Sequence, residues 1–189
     1  MARDGSKTKR LIDKTALRLF VEKGVTATTI KDIAGTAKIA EGTIYRHYPS
    51  KQQLAWELFA KNMVALALEL DRSQQPHQTL KEKLTAIINY VCSFHDSDPI
   101  LFRYLLLDHH GHIRKMTPDM PSPVRVLKHT IAQRMAAGEI PQSDCDLMTA
   151  MILGLILQVS VFKVYGLIDQ SLSSLAPTMV AKSCQLLGV

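Results

Sequence analysis

Apolar residues recur along this chain at intervals of three and four, and no stretch alternates apolar and polar residues long enough to make a half-buried strand. That regularity leaves little room for a sheet and predicts an all-α protein. Ile12, Ala16, Leu19 and Phe20 follow the i, i+4, i+7, i+8 spacing of one buried helix face, and Gly24 stands where that helix should end. Thr29-Ile-Lys-Asp32 reads as a capping box, a hydroxyl followed three residues later by a carboxylate, opening a short helix with Ile30, Ile33, Ala34 and Ala37 turned inward. The chain breaks near Lys38-Ile39 and restarts around Ala40. Pro49 closes the next short helix, about 40–48, because proline disfavours helical geometry at the residue before it. Ser50-Lys-Gln-Gln53 reads as a second capping box, opening a long helix to about Arg72. Helical patterns follow at about 77–95, 98–110, 121–138, 144–166 and 174–187, separated by SQQPHQ, DHHGH, TPDMPSP and GEIPQSD.

With 189 residues, 47% of them hydrophobic, the chain can form one large or two small domains around a sizeable core. Its net charge of +6 is uneven. Residues 1–61 hold 12 Lys and Arg against 6 Asp and Glu, whereas residues 62–189 hold 11 of each. A basic head on a neutral body suits a polyanion-binding module attached to a part with another task, and a merely solvated basic face has the same composition. Cys92, Cys145 and Cys184 are widely spaced and form no CxxC pair, which argues against a disulfide framework or zinc knuckle and for a reducing compartment. The opening MARDGSKTKR has no apolar run after its charges, so the expectation is a cytoplasmic chain without a secretory leader. Leu147 to Ile168 carries one charge, Lys163, and is long enough to span a bilayer. Thr149, Gln158 and Ser160 interrupt it, so a helix buried in a core and a subunit interface is preferred to a membrane span. No nucleophile elbow, P-loop, dinucleotide fingerprint or HExxH is present, so no enzyme and no cofactor is expected.

The stretch GTIYRHYPSK, Gly42 to Lys51, places two tyrosines, an arginine, a histidine and a lysine close together in a chain that is only 6% aromatic. Two short helices with a tight break, after a longer one, have the form of a helix-turn-helix. Ile33, Ala37, Ile39 and Ile44 would make its small core. The second short helix then projects Glu41, Thr43, Tyr45, Arg46 and His47 outward, and such a helix fits a DNA major groove. The tyrosine hydroxyl, the histidine N–H and the Lys51 ammonium are phosphate donors, while Glu41, Thr43 and Arg46 can read base edges. Gly42 removes a side chain where backbone must approach the duplex.

At these residues the chain resembles the TetR/AcrR family of bacterial transcriptional regulators. Thr28-Thr29, Ile33-Ala34, Gly42-Thr43-Ile44-Tyr45, Tyr48 and Ser50-Lys51 match its DNA-binding segment. The resemblance covers about residues 6–66, with the helix-turn-helix at 29–48, and implies that 67–189 form an effector-binding and dimerisation domain. It implies phosphate contacts from Thr29, Tyr45, His47 and Lys51, base or nearby backbone contacts from Lys31, Glu41, Thr43 and Arg46, and a packing role for Tyr48. Lys38 departs from the pattern, because the family usually has glycine in that turn. A left-handed non-glycine residue costs roughly 1 kcal/mol. Lys38 either rebuilds the turn or adds a phosphate contact.

The resemblance also implies a homodimer on a double-stranded, palindromic operator, acting as a repressor that a small-molecule effector releases. The surplus apolar surface of the last two long helices suits a four-helix bundle between twins, with Met148, Ile152, Leu155 and Val159 on one and Met179, Val180, Cys184 and Leu187 on the other. Met63, Leu66, Tyr90, Phe94, Phe102, Leu106, Met151 and Leu155 are the candidates to line an apolar or amphipathic effector pocket, although core packing explains each equally well. Asp108, His109, His110 and His112, with His95 one helix earlier, carry metal-binding chemistry, but without a cysteine or a regular i, i+4 pair no metal is expected. The competing reading is a membrane- or partner-binding helical module using 147–168.

Overall fold

The computed structural model describes residues 5–107, 110–113 and 115–189. Every regular element among them is helical. In chain order these are α1 (Gly5–Lys23), α2 (Ile30–Ala37), α3 (Glu41–Tyr45), α4 (Lys51–Gln74), α5 (Leu80–Ser97), α6 (Pro99–Leu106), α7 (His110–Ile113), α8 (Pro123–Ala136), α9 (Cys145–Val164) and α10 (Leu172–Leu187). Gly24 follows α1 with φ +82°, the left-handed stop expected of it.

The described chain forms two compact units, one of residues up to Asn62 with Ile100–Met116, the other of Met63–Pro99 with Thr117–Val189. The first thus takes in a segment that sequence reading assigns to the second domain. The reason is local. The Tyr104 hydroxyl on α6 donates to the Ala55 carbonyl on α4 at 2.7 Å, and its ring stacks on Phe20 of α1 with centroids 6.2 Å apart. Tyr104, Phe102 and Leu105 are buried there with Ile12, Ala16, Phe20, Leu54 and Phe59.

In the second unit α10 packs most extensively on α5, and α8 lies against both α5 and α9. Thr79 and Glu82 form a capping box that starts α5. The Asp96 carboxylate, at the far end of α5, accepts the Leu172 and Ser173 N–H groups at 3.0 and 2.9 Å and so starts α10. Lys83 is buried and donates to the Gln74 carbonyl at 3.0 Å and its side-chain oxygen at 2.7 Å, closing the end of α4.

Three expectations need correction. The second short helix stops at Tyr45. The chain then tightens, with the His47 N–H on the Ile44 carbonyl at 2.9 Å, so Arg46 and His47 lie in a turn. At Ser50 only half of the capping box forms: the Gln53 N–H reaches Ser50 Oγ at 3.1 Å, while the Gln53 amide donates to Glu57. The third concerns α9. Thr149, Ile152, Ile156 and Ser160 form its covered face, and the two hydroxyls are satisfied by carbonyls one turn back, at 2.7 and 2.9 Å. The polar interruptions thus point mostly inward. Leu147, Met151, Gly154, Gln158, Phe162 and Tyr165, three and four residues apart, are exposed. Ile152, Met179, Val180, Cys184 and Leu187, expected at a dimer interface, are instead buried within the protomer, because α10 spends its apolar face on its own neighbours. Met148 and Val159 are half-buried.

A candidate nucleic-acid interface

The helix-turn-helix is held by short-range chemistry. The Asp32 N–H donates to Thr29 Oγ1 at 3.0 Å, while the Thr29 N–H and hydroxyl donate to Asp32 Oδ2 at 2.9 and 2.8 Å. The backbone hydrogen bond from Thr29 is the main reason that the Asp32 carboxyl lies below its usual pKa. Thr29 therefore has its one hydroxyl proton on Asp32 and serves as the cap of α2.

Two neighbours fix where α2 begins. Thr28 is fully buried, and its hydroxyl reaches the Leu19 and Gly24 carbonyls at 3.1 and 2.8 Å, tying the end of α1 to the start of α2. Lys51, the first residue of α4, donates to the Thr26 and Thr28 carbonyls at 2.9 and 2.6 Å. Sequence reasoning missed both roles. The threonine-rich run was the available signal for Thr28, whereas nothing in sequence spacing places Lys51 beside residues more than twenty positions earlier.

Beyond α2, the Lys38 N–H bonds the Gly35 carbonyl and the Ile39 N–H the Ala34 carbonyl, at 3.3 and 3.0 Å. This is the paired closure of a Schellman turn, and Lys38 occupies its left-handed position at φ 54°. The turn delivers α3 with Ile44 fully buried and Ile39 half-buried. Tyr48 is buried beneath it. Its hydroxyl donates to Asp13 on α1, and burial followed by the Asp13 hydrogen bond raises its pKa. The Lys9 ammonium lies 4.6 Å from the centre of the Tyr48 ring, and Lys61 lies 3.8 Å from Asp13.

The outward face remains. Lys31, Glu41, Gly42 and Arg46 are exposed, Thr43 and His47 half-buried, and Tyr45 is 52% exposed although it is a large aromatic. The Arg46 guanidinium donates to Thr43 Oγ1 at 3.2 Å. A Cβ placed on Gly42 would meet nothing within 4 Å, and its φ is not positive, so neither packing nor backbone geometry inside the protein requires glycine there. Lys7, Lys38, Arg46 and His47 border a half-open groove of about 970 Å³ between the start of α1 and the α2–α3 turn, floored by Leu11, Ala34, Ile39 and Ala40. Among the described residues no carboxylate lines it.

The other expected residues separate. Of the eight pocket candidates, Phe102 and Leu106 belong to the first unit and the other six to the second. Met63, Leu66 and Phe102 are buried, Tyr90, Phe94, Leu106 and Leu155 half-buried, and Met151 is 44% exposed on the bare side of α9 rather than in a cavity. None of the eight lines the basic groove. Asp108 and His109 lie outside the described residues, as does the side chain of His110. Among the described residues no three His, Cys, Asp or Glu side chains are grouped to hold a metal. His112 stacks on Phe59 and lies against Trp56, with ring centroids 5.4 and 6.2 Å apart, and burial lowers its pKa.

The family model for bacterial regulatory proteins of the tetR family matches residues 12–58. The HTH-type transcriptional regulator AcrR of Shigella flexneri is 33% identical over 90 residues, 45% of this chain and 42% of that protein. The chain thus matches less than half the length of that curated relative. The fatty acid degradation regulator FadR from Bacillus halodurans superimposes with a TM-score of 0.81 at 21% identity, over 95% of this chain and 94% of that one. The transcriptional regulator FadR from Bacillus subtilis, solved in complex with stearoyl-CoA, gives 0.80 at 22% identity, over 94% and 97%. At these identities the two structures establish the fold. Residues 12–58 thus match the tetR family of bacterial regulatory proteins, and nearly the whole chain shares the fold of the two FadR regulators.

Proposed function

We propose that this chain is a ligand-responsive, DNA-binding transcriptional repressor of the cytoplasm, acting as a homodimer on a palindromic operator. The observation that carries the reading is the exposed face of α3 and its following turn. Tyr45 stands bare, Gly42 leaves an opening the fold itself does not need, and Lys31, Arg46 and His47 surround them. In this reading Tyr45 and His47 donate to phosphates, and Lys51 adds its third N–H while the other two hold the loop. Lys31, Glu41, Thr43 and Arg46 meet bases or nearby backbone, with Arg46 exchanging its Thr43 contact for a base edge. Thr29 contributes by fixing α2.

The dimer is assigned to the bare stripe of α9, since the apolar side chains of α10 are already covered. The effector is a small apolar or amphipathic molecule. The stearoyl-CoA held by the Bacillus subtilis regulator of the same fold is an example of that chemistry.

Selection of duplexes from a random pool tests the reading. Enrichment of a palindrome or near-palindrome is expected, and enrichment of single-stranded sites alone, or of none, overturns it. A second reading rests on α9, which is long and apolar enough to cross a membrane by length and composition. In that reading 147–168 form a membrane- or partner-binding module. A monodisperse dimer in detergent-free buffer favours the regulator; recovery only with detergent favours the alternative.

A further inference from the structure

We infer that Lys38 is a phosphate-binding residue for duplex DNA, seated on the rim of the groove between α1 and the α2–α3 turn and maintained there at the expense of backbone comfort. The inference rests on the DNA-binding reading and adds to it a contact and a wall of the interface.

Three observations carry it. First, Lys38 is the one non-glycine residue with positive φ among the described residues. The left-handed position of a Schellman turn favours glycine because a Cβ there crowds the carbonyl oxygen. Packing does not explain the choice, since the Lys38 side chain is exposed. Second, no hydrogen bond or ion pair engages its ammonium among the described residues, although nearby lysines are used: Lys51 binds two carbonyls, Lys9 pairs with Glu57 at 3.6 Å, and Lys61 lies 3.8 Å from Asp13. A lysine at a strained position without an internal partner stabilises nothing within the fold that glycine would not. Third, the groove it borders also receives Lys7, Arg46 and His47 and, among the described residues, no carboxylate. Arg46 and His47 belong to the turn that follows α3, whereas Lys7 comes from the start of α1. A concave surface lined by cations from separate elements favours a charged, extended backbone over a lone small anion, and a DNA strand beside the groove occupied by α3 supplies successive phosphates.

The test compares Lys38→Gly, Lys38→Asn and Lys38→Arg in the full chain, using a labelled duplex selected by the wild-type protein from a random pool. Binding is titrated over a series of salt concentrations, with thermal unfolding in parallel. Lys38→Gly should raise the unfolding midpoint by about 2–4 °C, as relief of left-handed strain implies. It should also weaken binding to every duplex and lower the salt slope by about 0.9 for each protomer engaged. Lys38→Asn, which tolerates the left-handed region but lacks the charge, should lose the same slope, and Lys38→Arg should retain it. Lys182→Gln, which removes a cation from α10, serves as the charge control and should leave the slope unchanged. An unchanged slope in Lys38→Gly, while wild type binds its selected duplex, overturns the inference and leaves the DNA reading intact. Equal losses in Lys38→Arg and Lys38→Gly overturn it as well, because geometry rather than charge would then be responsible. Failure of the wild type to select any duplex removes the DNA reading, and this inference with it.

Discussion

Removing one oxygen from Tyr48 isolates the contact that anchors the reading helix from beneath. Tyr48→Phe deletes the hydrogen bond to Asp13 and leaves that carboxylate, among the described residues, with the Lys61 ammonium at 3.8 Å. We expect a loss of about 1–2 kcal/mol in denaturant-induced unfolding, with little change in helix content by circular dichroism. Lys83 offers a second single-residue experiment. Its ammonium is buried on Gln74 without a carboxylate beside it among the described residues. Lys83→Met keeps most of the stem but removes both ammonium hydrogen bonds to Gln74, whose carbonyl retains the His77 N–H at 3.2 Å. A loss of about 1–3 kcal/mol is expected, and an equal or higher stability would mean that the buried charge costs as much as its two hydrogen bonds return.

At the scale of helices, the start of α10 ties stability to pH. Burial pulls the Asp96 carboxyl upward, but the hydrogen bonds from Ser173, Leu172 and His95 outweigh it and the net displacement is downward. A carboxyl with a depressed folded-state pKa contributes stability above its unfolded value of about 3.9, and that contribution fades as pH falls toward the folded value. Asp96→Asn should therefore be less stable than wild type near neutrality, and the two unfolding curves should converge in acid below about pH 4. Constant separation down to acid would assign the effect to shape rather than charge. The helices themselves were legible because their signals are local: the Thr29–Asp32 box, the inward set of α2 and the stop at Gly24 all lie within one or two turns of the residues they govern. The short extent of α3 was not, since Pro49 marks where a helix cannot continue rather than where it stops. The covered face of α10 was not either. Met179, Val180, Cys184 and Leu187 have the spacing of an interface and of a core alike, and only the presence of α5 beside them decides which they are. Lys51 was half legible, since its residue type suggested a phosphate contact but not its two bonds to carbonyls, and Thr28 was visible only as part of the threonine-rich start of α2.

For the molecule as a whole, a ligand that releases DNA must bind one arrangement better than the other, and the exchange is reciprocal. An effector that weakens the operator by some factor should itself be weakened by that factor when operator is bound, measured by titrating each in the presence of the other. Independent affinities would leave a DNA-binding protein that senses nothing by this route. The stripe on α9 offers another whole-molecule experiment: Met151→Glu places a charge where Leu147, Met151, Phe162 and Tyr165 lie bare, and should shift sedimentation toward monomer while circular dichroism stays unchanged. That stripe also has a consequence for gene dosage. If protomers pair through it as proposed, abundance itself becomes an input, since the number of pairs in a dilute population follows the square of the number of chains. Halving expression would then remove about three quarters of the pairs. In the proposed homodimer, a gene under its control would respond to the supply of the regulator more steeply than in proportion.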